Sequence, residues 1–216
     1  MRRVRSERDR FVGFVNEAID HLIDTERVLV GRASFAGPHT LDVEGFGQVH
    51  FEQVVIATGS SPWIPPGYRE LGDRVIVNDD VFDWDTLPES VFVVGSGVIG
   101  LELGQALHRL GVRVKIVGVR GGVGPLSDPE ILDLARETFN EEFPLLTRFE
   151  LTSAQRVDGG VHIKGADADG RQVDEVFQYV LAAAGRRPNL ASLDLGRAGI
   201  EIDDRGFPVG FDRQTL

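Results

Sequence analysis

The stretch from residue 91 to residue 118 constrains the fold more than any other part of this chain. An apolar run at residues 91–94 leads into the motif Gly95-Ser96-Gly97-Val98-Ile99-Gly100. An amphipathic segment follows as far as Gly111, and a second apolar run spans residues 112–117. This order predicts strand, glycine turn, helix and strand, the context that separates a dinucleotide-binding unit from a chance glycine-rich turn.

The glycines of this motif each have a physical role in such a unit. Gly95 allows a sharp turn off the strand, Gly97 lets a pyrophosphate approach the backbone, and Gly100 lets the helix pack closely on the sheet. Gly104 extends this small-residue face by one helical turn. The free N–H groups and the positive dipole end of the helix would then face the phosphates.

Composition excludes several other classes of function. The 216 residues are 42% hydrophobic and 26% charged, which is typical of a globular protein of one large or two small domains. The net charge of −11 argues against a nucleic-acid partner. No apolar run approaches the roughly 18 residues of a membrane span, and no apolar segment of a secretory signal follows the basic N-terminus. We therefore expect a cytoplasmic protein without a membrane partner.

The chain contains no cysteine, which excludes disulfides, thiolate zinc sites and thiol catalysis within it. Its five histidines show no metal-ligand spacing, so no metal site is predicted.

Periodicity and turn residues predict the remaining elements. We expect amphipathic helices at residues 7–24, 98–110 and 127–142, the last beginning at Ser127-Asp128-Pro129-Glu130 with an N-cap, a proline and an acid in its first turn. Strands are expected at residues 27–35, 40–43, 48–51, 147–157, 161–165 and 172–182, with a buried strand at 54–57 and a short one at 199–202. We expect residues 62–88 to form a connector between two domains.

Three segments together resemble the flavoprotein disulfide reductases, the pyridine nucleotide-disulfide oxidoreductase family. They are Val-Val-Ile-Ala-Thr-Gly-Ser-Ser-Pro at residues 54–62, the glycine unit at 95–104, and Gly-Arg-Arg-Pro-Asn at 185–189. Within that family, Leu101-Glu102-Leu103-Gly104 after the glycine motif and the segment at 124–130 are most similar to dihydrolipoyl dehydrogenase. The resemblance implies that electrons pass from a dithiol through a disulfide to FAD, and then as hydride to NAD.

The resemblance also implies features that this sequence lacks. A complete member carries its own flavin-binding glycine motif, a Cys-x-x-x-x-Cys pair, a Gly-Asp flavin segment and a dimerisation domain. We interpret the chain as a fragment of a homodimeric flavoenzyme. We expect this fragment to contain no catalytic residue and not to retain FAD. The alternatives are a fragment of an NADPH-dependent disulfide reductase or soluble transhydrogenase, or a non-catalytic nucleotide-binding module.

The implied fold is α/β. It comprises a Rossmann-like FAD/NAD(P)-binding domain, with a parallel sheet and an antiparallel β-meander, and an incomplete portion of the FAD domain. We expect the FAD-domain segment and linker at residues 1–84, the NAD(P)-binding domain at 85–188, and a return segment toward the FAD domain at 189–216.

The expected binding residues follow from the motif and from the resemblance. Val98 and Ile99 would line the nicotinamide or pack in the core. Glu102 would lie beside the nicotinamide ribose or near the flavin, or would only favour the helix dipole. Arg186 would contact the nucleotide, close the domain or pair with an acid. The predicted NAD(P) site comprises Gly95, Gly97, Val98, Ile99, Gly100, Glu102, Gly118, Arg120, Gly185 and Arg186, with Thr58 and Gly59 on the FAD side.

The sequence leaves the choice of nicotinamide nucleotide open. An NAD site usually has an acid about 20 residues past the glycine loop, where it holds the ribose hydroxyls. Here the strand ends at Gly118, and Arg120 follows. An arginine at this position favours the 2′-phosphate of NADP, whereas the lipoyl resemblance implies NAD. We expect NAD and keep NADP as the alternative.

Overall fold

The computed structural model describes residues 1–25 and 27–212. These residues divide into two compact units. The first unit comprises residues 1–5 and 62–185, and the second comprises residues 6–61 and those from Arg186 onward. In the described part of the chain, every helix is too short or too polar to traverse a lipid bilayer.

The elements are as follows in chain order. The helices are α1 (Arg2–Asp24), α2 (Val98–Arg109) and α3 (Pro129–Glu142), with 3-10 helices at Pro66–Arg74, Asp80–Phe82 and Leu195–Ala198. The strands are β1 (Ala33–Gly37), β2 (Thr40–Val43), β3 (Gly47–His50), β4 (Ser60–Pro62), β5 (Val75–Ile76), β6 (Ser90–Val94), β7 (Arg113–Val117), β8 (Leu145–Leu146), β9 (Phe149–Val157), β10 (Gly160–Asp167), β11 (Gln172–Phe177), β12 (Tyr179–Ala182) and β13 (Arg186–Pro188).

A parallel sheet in the order β5-β12-β6-β7-β8 forms the centre of the first unit. All five residues of β6 are buried, as expected for a central parallel strand covered on both faces. Alternate side chains of β6 enter two different cores. Val91 and Val93 pack in the core that includes residues of α2 and α3, whereas Phe92 and Val94 pack with the meander.

Both predicted helices of the first unit are confirmed, and their ends follow from local chemistry. α2 begins after Gly97, and Gly111, with φ of 90°, stops it two residues beyond Arg109. The Asp128 carboxylate accepts hydrogen bonds from the N–H groups of Glu130 at 3.0 Å and Ile131 at 3.2 Å, which caps α3.

The predicted strand at residues 172–182 is in fact two strands in different sheets. β11 pairs with β10 in the antiparallel meander β11-β10-β9, whereas β12 enters the parallel sheet between β5 and β6. The change occurs at Gln178, whose N–H donates to the Ser90 hydroxyl at 3.0 Å. The sequence conceals this change because β12 follows β11 after a single residue, Gln178, and apolar residues occur in both strands.

The second unit contains the antiparallel sheet β1-β2-β3 and the pair β4-β13. The strands β2 and β3 form an antiparallel hairpin, and Gly45 and Gly47 both have positive φ at its turn. Phe35 packs with Leu190, Leu193 and Leu195 in the core of this unit. The strand expected from residue 27 begins only at Ala33.

The buried strand predicted at residues 54–57 is wrong. This segment belongs to no strand, and Val55 is 89% exposed. Within the described residues no neighbouring strand pairs with it, so its apolar side chains have no sheet to enter. The strand expected at 199–202 is likewise reduced to a single bridge between Ile202 and Pro208.

Candidate functional site

The carboxyl ends of the five parallel strands define one edge of the first unit. β5, β6, β7, β8 and β12 end at this edge, and the glycine loop at residues 95–97 follows β6 there. From β6 the chain continues to β7 and β8 on one side, while β12 occupies the other side. The loop therefore lies where the strand order reverses, the position at which open α/β sheets bind ligands.

Two glycines of the motif are required by packing, and the third is open. A Cβ at Gly95 would lie 2.1 Å from the Ala183 carbonyl oxygen, and φ of 128° at Gly95 also disfavours a side chain. A Cβ at Gly100 would lie 1.9 Å from the Gly95 carbonyl oxygen. By contrast, no atom lies within 4 Å of a Cβ placed on Gly97, which is exposed. A ligand can thus approach the backbone at Gly97.

The amino end of α2 faces this open backbone. Gly97 is its cap residue and makes no side-chain capping bond, so the first-turn N–H groups keep their capacity to donate. The first turn contains no acid that would neutralise the helix dipole. These features suit an anion such as a pyrophosphate.

Side chains in and after this turn offer both apolar and charged surface. Val98 is 49% exposed, and Ile99 is partly exposed. Glu102 is exposed, and its carboxylate has no hydrogen bond or ion pair within residues 1–25 and 27–212. All three therefore remain available to a ligand.

Ser96 connects the glycine loop to the loop that follows β7. Its hydroxyl donates to the Gly122 carbonyl at 2.6 Å, and the Gly124 N–H donates to the Ser96 carbonyl at 2.8 Å. A Cβ at Gly118 would lie 2.2 Å from the Ser96 Oγ. Sequence reasoning missed this contact, although Ser96 stands inside the motif, because the pairing of the two loops depends on the sheet.

Three arginines surround the loop after β7. The Arg136 Nη2 donates to the Gly121 carbonyl at 3.1 Å, and the Arg148 Nε lies 3.1 Å from the position of a Cβ on Gly121. Arg120 precedes Gly121 and is exposed. Sequence reasoning identified only Arg120, because the strand that positions Arg148 is just two residues long.

The remaining predicted residues divide between the two units. Gly185, with φ of 118°, lies in the first unit, where its carbonyl accepts from the Trp63 N–H at 2.9 Å. Arg186 lies in the second unit and donates from Nε to the Ser60 hydroxyl at 2.8 Å. The carbonyls of Thr58 and Gly59, also in the second unit, accept from Asn189 at 3.1 and 3.0 Å. A groove of about 400 Å³ at His108, Arg113 and Lys115 lies near the amino end of β7, away from the glycine loop.

Comparison of the sequence with models of protein families agrees with the fold and the glycine loop. Residues 4–214 match the model of the pyridine nucleotide-disulphide oxidoreductases. The chain belongs to this family. The resemblance carried by residues 54–62, 95–104 and 185–189 is thereby confirmed, as is the α/β fold with its parallel sheet and antiparallel meander.

Individual pyridine nucleotide-disulphide oxidoreductases are similar along most of this chain. A dihydrolipoyl dehydrogenase from Vibrio parahaemolyticus is 31% identical over 190 residues, which are 87% of this chain and 40% of that protein. A soluble pyridine nucleotide transhydrogenase from Mycobacterium tuberculosis is 32% identical over 186 residues, 83% of this chain and 39% of that protein.

Solved structures of the family give the same result. The HOCl-induced flavoprotein disulfide reductase RclA from Escherichia coli superposes with a TM-score of 0.77 at 25% identity, covering 96% of this chain and 48% of that one. LpdA from Mycobacterium tuberculosis gives a TM-score of 0.74 at 27% identity, covering 93% and 46%. The chain thus spans less than half the length of these relatives.

Proposed function

We propose that this chain is the nicotinamide-nucleotide-binding portion of a flavoprotein oxidoreductase similar to dihydrolipoyl dehydrogenase. The observation that carries the proposal is the glycine loop at the strand-order reversal, with Gly97 open and α2 uncapped. The dihydrolipoyl dehydrogenase relatives support the type of parent enzyme. In the parent, the nicotinamide would supply hydride-transfer chemistry opposite the flavin.

The residues of the first unit would bind and orient the nucleotide. The Gly97 backbone and the N–H groups of the first turn of α2 would hold the pyrophosphate through hydrogen bonds and the helix dipole. Val98 and Ile99 would give an apolar surface for the nicotinamide side, and Glu102 would accept hydrogen bonds from the adjoining ribose. Gly185 would form the opposite wall, beside the Ala183 backbone that touches Gly95.

The dithiol and flavin chemistry would lie in the remainder of a homodimeric parent enzyme, because this chain has no cysteine. Thr58 and Gly59 would adjoin the flavin in that parent. Their surroundings do not themselves make a flavin site, since residues 54–59 are exposed. We assign the parent to the cytoplasm.

Two other functions compete with this proposal. Soluble transhydrogenases are among the similar proteins, and Arg120 favours a parent that uses NADPH. A non-catalytic nucleotide-binding module would bind nucleotide equally well. Flavin bound to the purified chain, together with dithiol turnover, would contradict our placement of this chemistry outside the chain.

Substitution of Gly97 tests the nucleotide site directly. We expect Gly97→Val to abolish binding of both NAD⁺ and NADP⁺ in calorimetric titration, because its side chain would occupy the open approach to the backbone. Gly37→Val in β1 is the matched control, since Gly37 also has open space and no positive φ. The control should bind as the wild type does, and both variants should keep the wild-type circular dichroism spectrum. Undiminished binding by Gly97→Val, or no binding by the wild type, would contradict the proposal.

A further inference from the structure

We infer that the groove at the amino end of β7 is a second binding site, which takes a small organic carboxylate with an apolar body. All of its lining residues, which fall between His108 and Glu175, belong to the first unit. The groove lies at the opposite end of β7 from the glycine loop. The inference therefore goes beyond the proposed function and does not depend on it.

The first argument is the shape of the groove. It forms because β8 pairs only with the last two residues of β7, and no other described strand lies beside the first three on that side. Its volume of about 400 Å³ lies within the range of small-molecule pockets, roughly 300–1,000 Å³. Val112, Val114 and Pro144 supply apolar wall. No described atom lies within 4 Å of a Cβ placed on Gly111, so the space beside this lining residue is open.

The second argument is an excess of positive charge. Arg113 and Lys115 lie two residues apart on the same face of β7, and both bind the carboxylate of Glu175. The Arg113 Nη1 donates to the Glu175 Oε2 at 2.8 Å, and the Lys115 Nζ donates to Oε1. Neither cation has a second carboxylate partner within residues 1–25 and 27–212. With His108 neutral, the lining side chains thus carry one excess positive charge, in a chain whose net charge is −11.

The third argument is that these cations are held in place beside the groove. The Arg113 guanidinium lies 4.4 Å from the centroid of the Phe177 ring, and its Nη2 donates to the Val176 carbonyl at 2.5 Å. The Lys115 side chain is only 15% exposed, and a charge shielded from water attracts an anion more strongly than one in bulk solvent. An ammonium group has three donors, of which Glu175 takes one.

The fourth argument determines the class of ligand. A single excess positive charge matches a carboxylate, whereas a phosphate monoester carries about −1.5 to −2 charges at pH 7. Glu142, an acid that interacts electrostatically with His108, is already bound by Arg109 at 2.5 Å and by Gln105 at 2.7 Å. A carboxylate ligand would therefore meet only one other unneutralised group, the shared cation pair. Its apolar body would cover the valine and proline wall.

Titration of the purified chain with naphthoate and with its uncharged analogue naphthamide tests the inference. We expect naphthoate to bind with a Kd of about 1 mM, the strength typical of a ligand of this size. Naphthamide should bind about tenfold more weakly, because it lacks the charge. In nuclear magnetic resonance spectra, naphthoate should shift the backbone amide signals of Gly111 and Val114 and leave that of Gly97 in place. This comparison uses the wild-type chain alone, so it does not depend on the folding of a variant.

Substitutions in the ion-pair cluster should change the affinity in opposite directions. Lys115→Gln should weaken naphthoate binding about fivefold, because it removes one of the two cations. Glu175→Gln should strengthen it by about the same factor, because it removes the competing carboxylate and leaves both cations to the ligand. A purely structural role of the cluster would not give effects of opposite sign.

A similar cluster outside the groove provides the matched controls. The Asp174 carboxylate contacts His162 and Lys164, and none of the three lines the groove. Lys164→Gln and Asp174→Asn should leave naphthoate binding within about twofold. All variants should keep the wild-type circular dichroism spectrum.

Three results would overturn the inference. They are a naphthoate Kd above about 10 mM, equal binding of naphthoate and naphthamide, and control variants that change the affinity as much as the groove variants do. Tighter binding of naphthyl phosphate than of naphthoate would overturn the assignment to carboxylates. None of these results bears on nucleotide binding at the glycine loop, which the Gly97→Val variant tests separately.

Discussion

The strand β6 of the first unit and the helix α1, whose residues from Ser6 onward belong to the second unit, show how differently one chain satisfies its apolar patterns. Every residue of β6 is buried, and Phe92 contacts the rings of Tyr68, Phe149 and Phe177. On α1, by contrast, Phe11 is 60% exposed and Phe14 is 56% exposed. Both elements follow their apolar periodicity, but only β6 meets its packing partners within the described chain. An apolar pattern thus predicts local structure, while burial depends on which neighbours are present.

The largest expected effect comes from a substitution in the buried core around β6. Phe92→Ala should lower the free energy of unfolding by about 3–5 kcal/mol, because it removes a fully buried ring from the core between the sheet and the meander. Chemical denaturation followed by circular dichroism measures the change. A loss below about 1 kcal/mol would mean that this core is much looser than its burial indicates.

A smaller effect should appear in the same core at high pH. Burial raises the pKa of the Tyr68 phenol well above its usual value, so the folded state keeps the proton that the unfolded state loses. The stability contributed by the neutral phenol is complete below the unfolded pKa of about 10. Above that pH it should fall by about 1.4 kcal/mol per pH unit. Denaturant titrations between neutral pH and pH values above 10 measure this slope.

Tyr68→Phe is the variant that isolates the effect, because it removes the ionisable hydroxyl and keeps the buried ring. The variant should unfold with a shallower alkaline dependence than the wild type. Identical slopes for the two proteins would show that Tyr68 is not protected from ionisation by burial.

The smallest expected effect on stability comes from a substitution on α1, where Phe14 is largely exposed. Phe14→Ser should change the free energy of unfolding by no more than about 0.5 kcal/mol, because the ring is mostly exposed already. The same variant should bind less of a dye that reports exposed apolar surface, since it removes part of the α1 face. A destabilisation near that of Phe92→Ala would instead place Phe14 in a packed core in solution.

The part of the fold that the sequence predicts well is encoded by neighbouring residues. The glycine loop, α2 with its stop at Gly111, and α3 with its cap at Asp128 all follow from short-range signals. The strands β5 and β8 were missed because two residues carry no periodicity, and each forms only by pairing with a longer strand. Residues 54–57 were predicted buried because apolar composition alone does not reveal whether a pairing strand exists.

The candidate site also combines residues that their spacing in the sequence predicts with contacts that depend on the pairing of strands. Gly95, Gly97 and Gly100 could be predicted because their spacing alone determines the turn. The contact of Ser96 with Gly118, and the position of Arg148 beside Gly121, join residues more than 20 positions apart. Only the parallel pairing of β6 with β7 and of β7 with β8 brings them together.

The close packing of Ser96 on Gly118 also limits how the nucleotide preference of this edge can change. A carboxylate can be introduced at position 118 only after the side chain at position 96 has been made smaller. The substitutions therefore have a required order, and the second one alone would disrupt the turn. A library that varies position 118 alone would not reach the change, whereas a library that varies positions 96 and 118 together would.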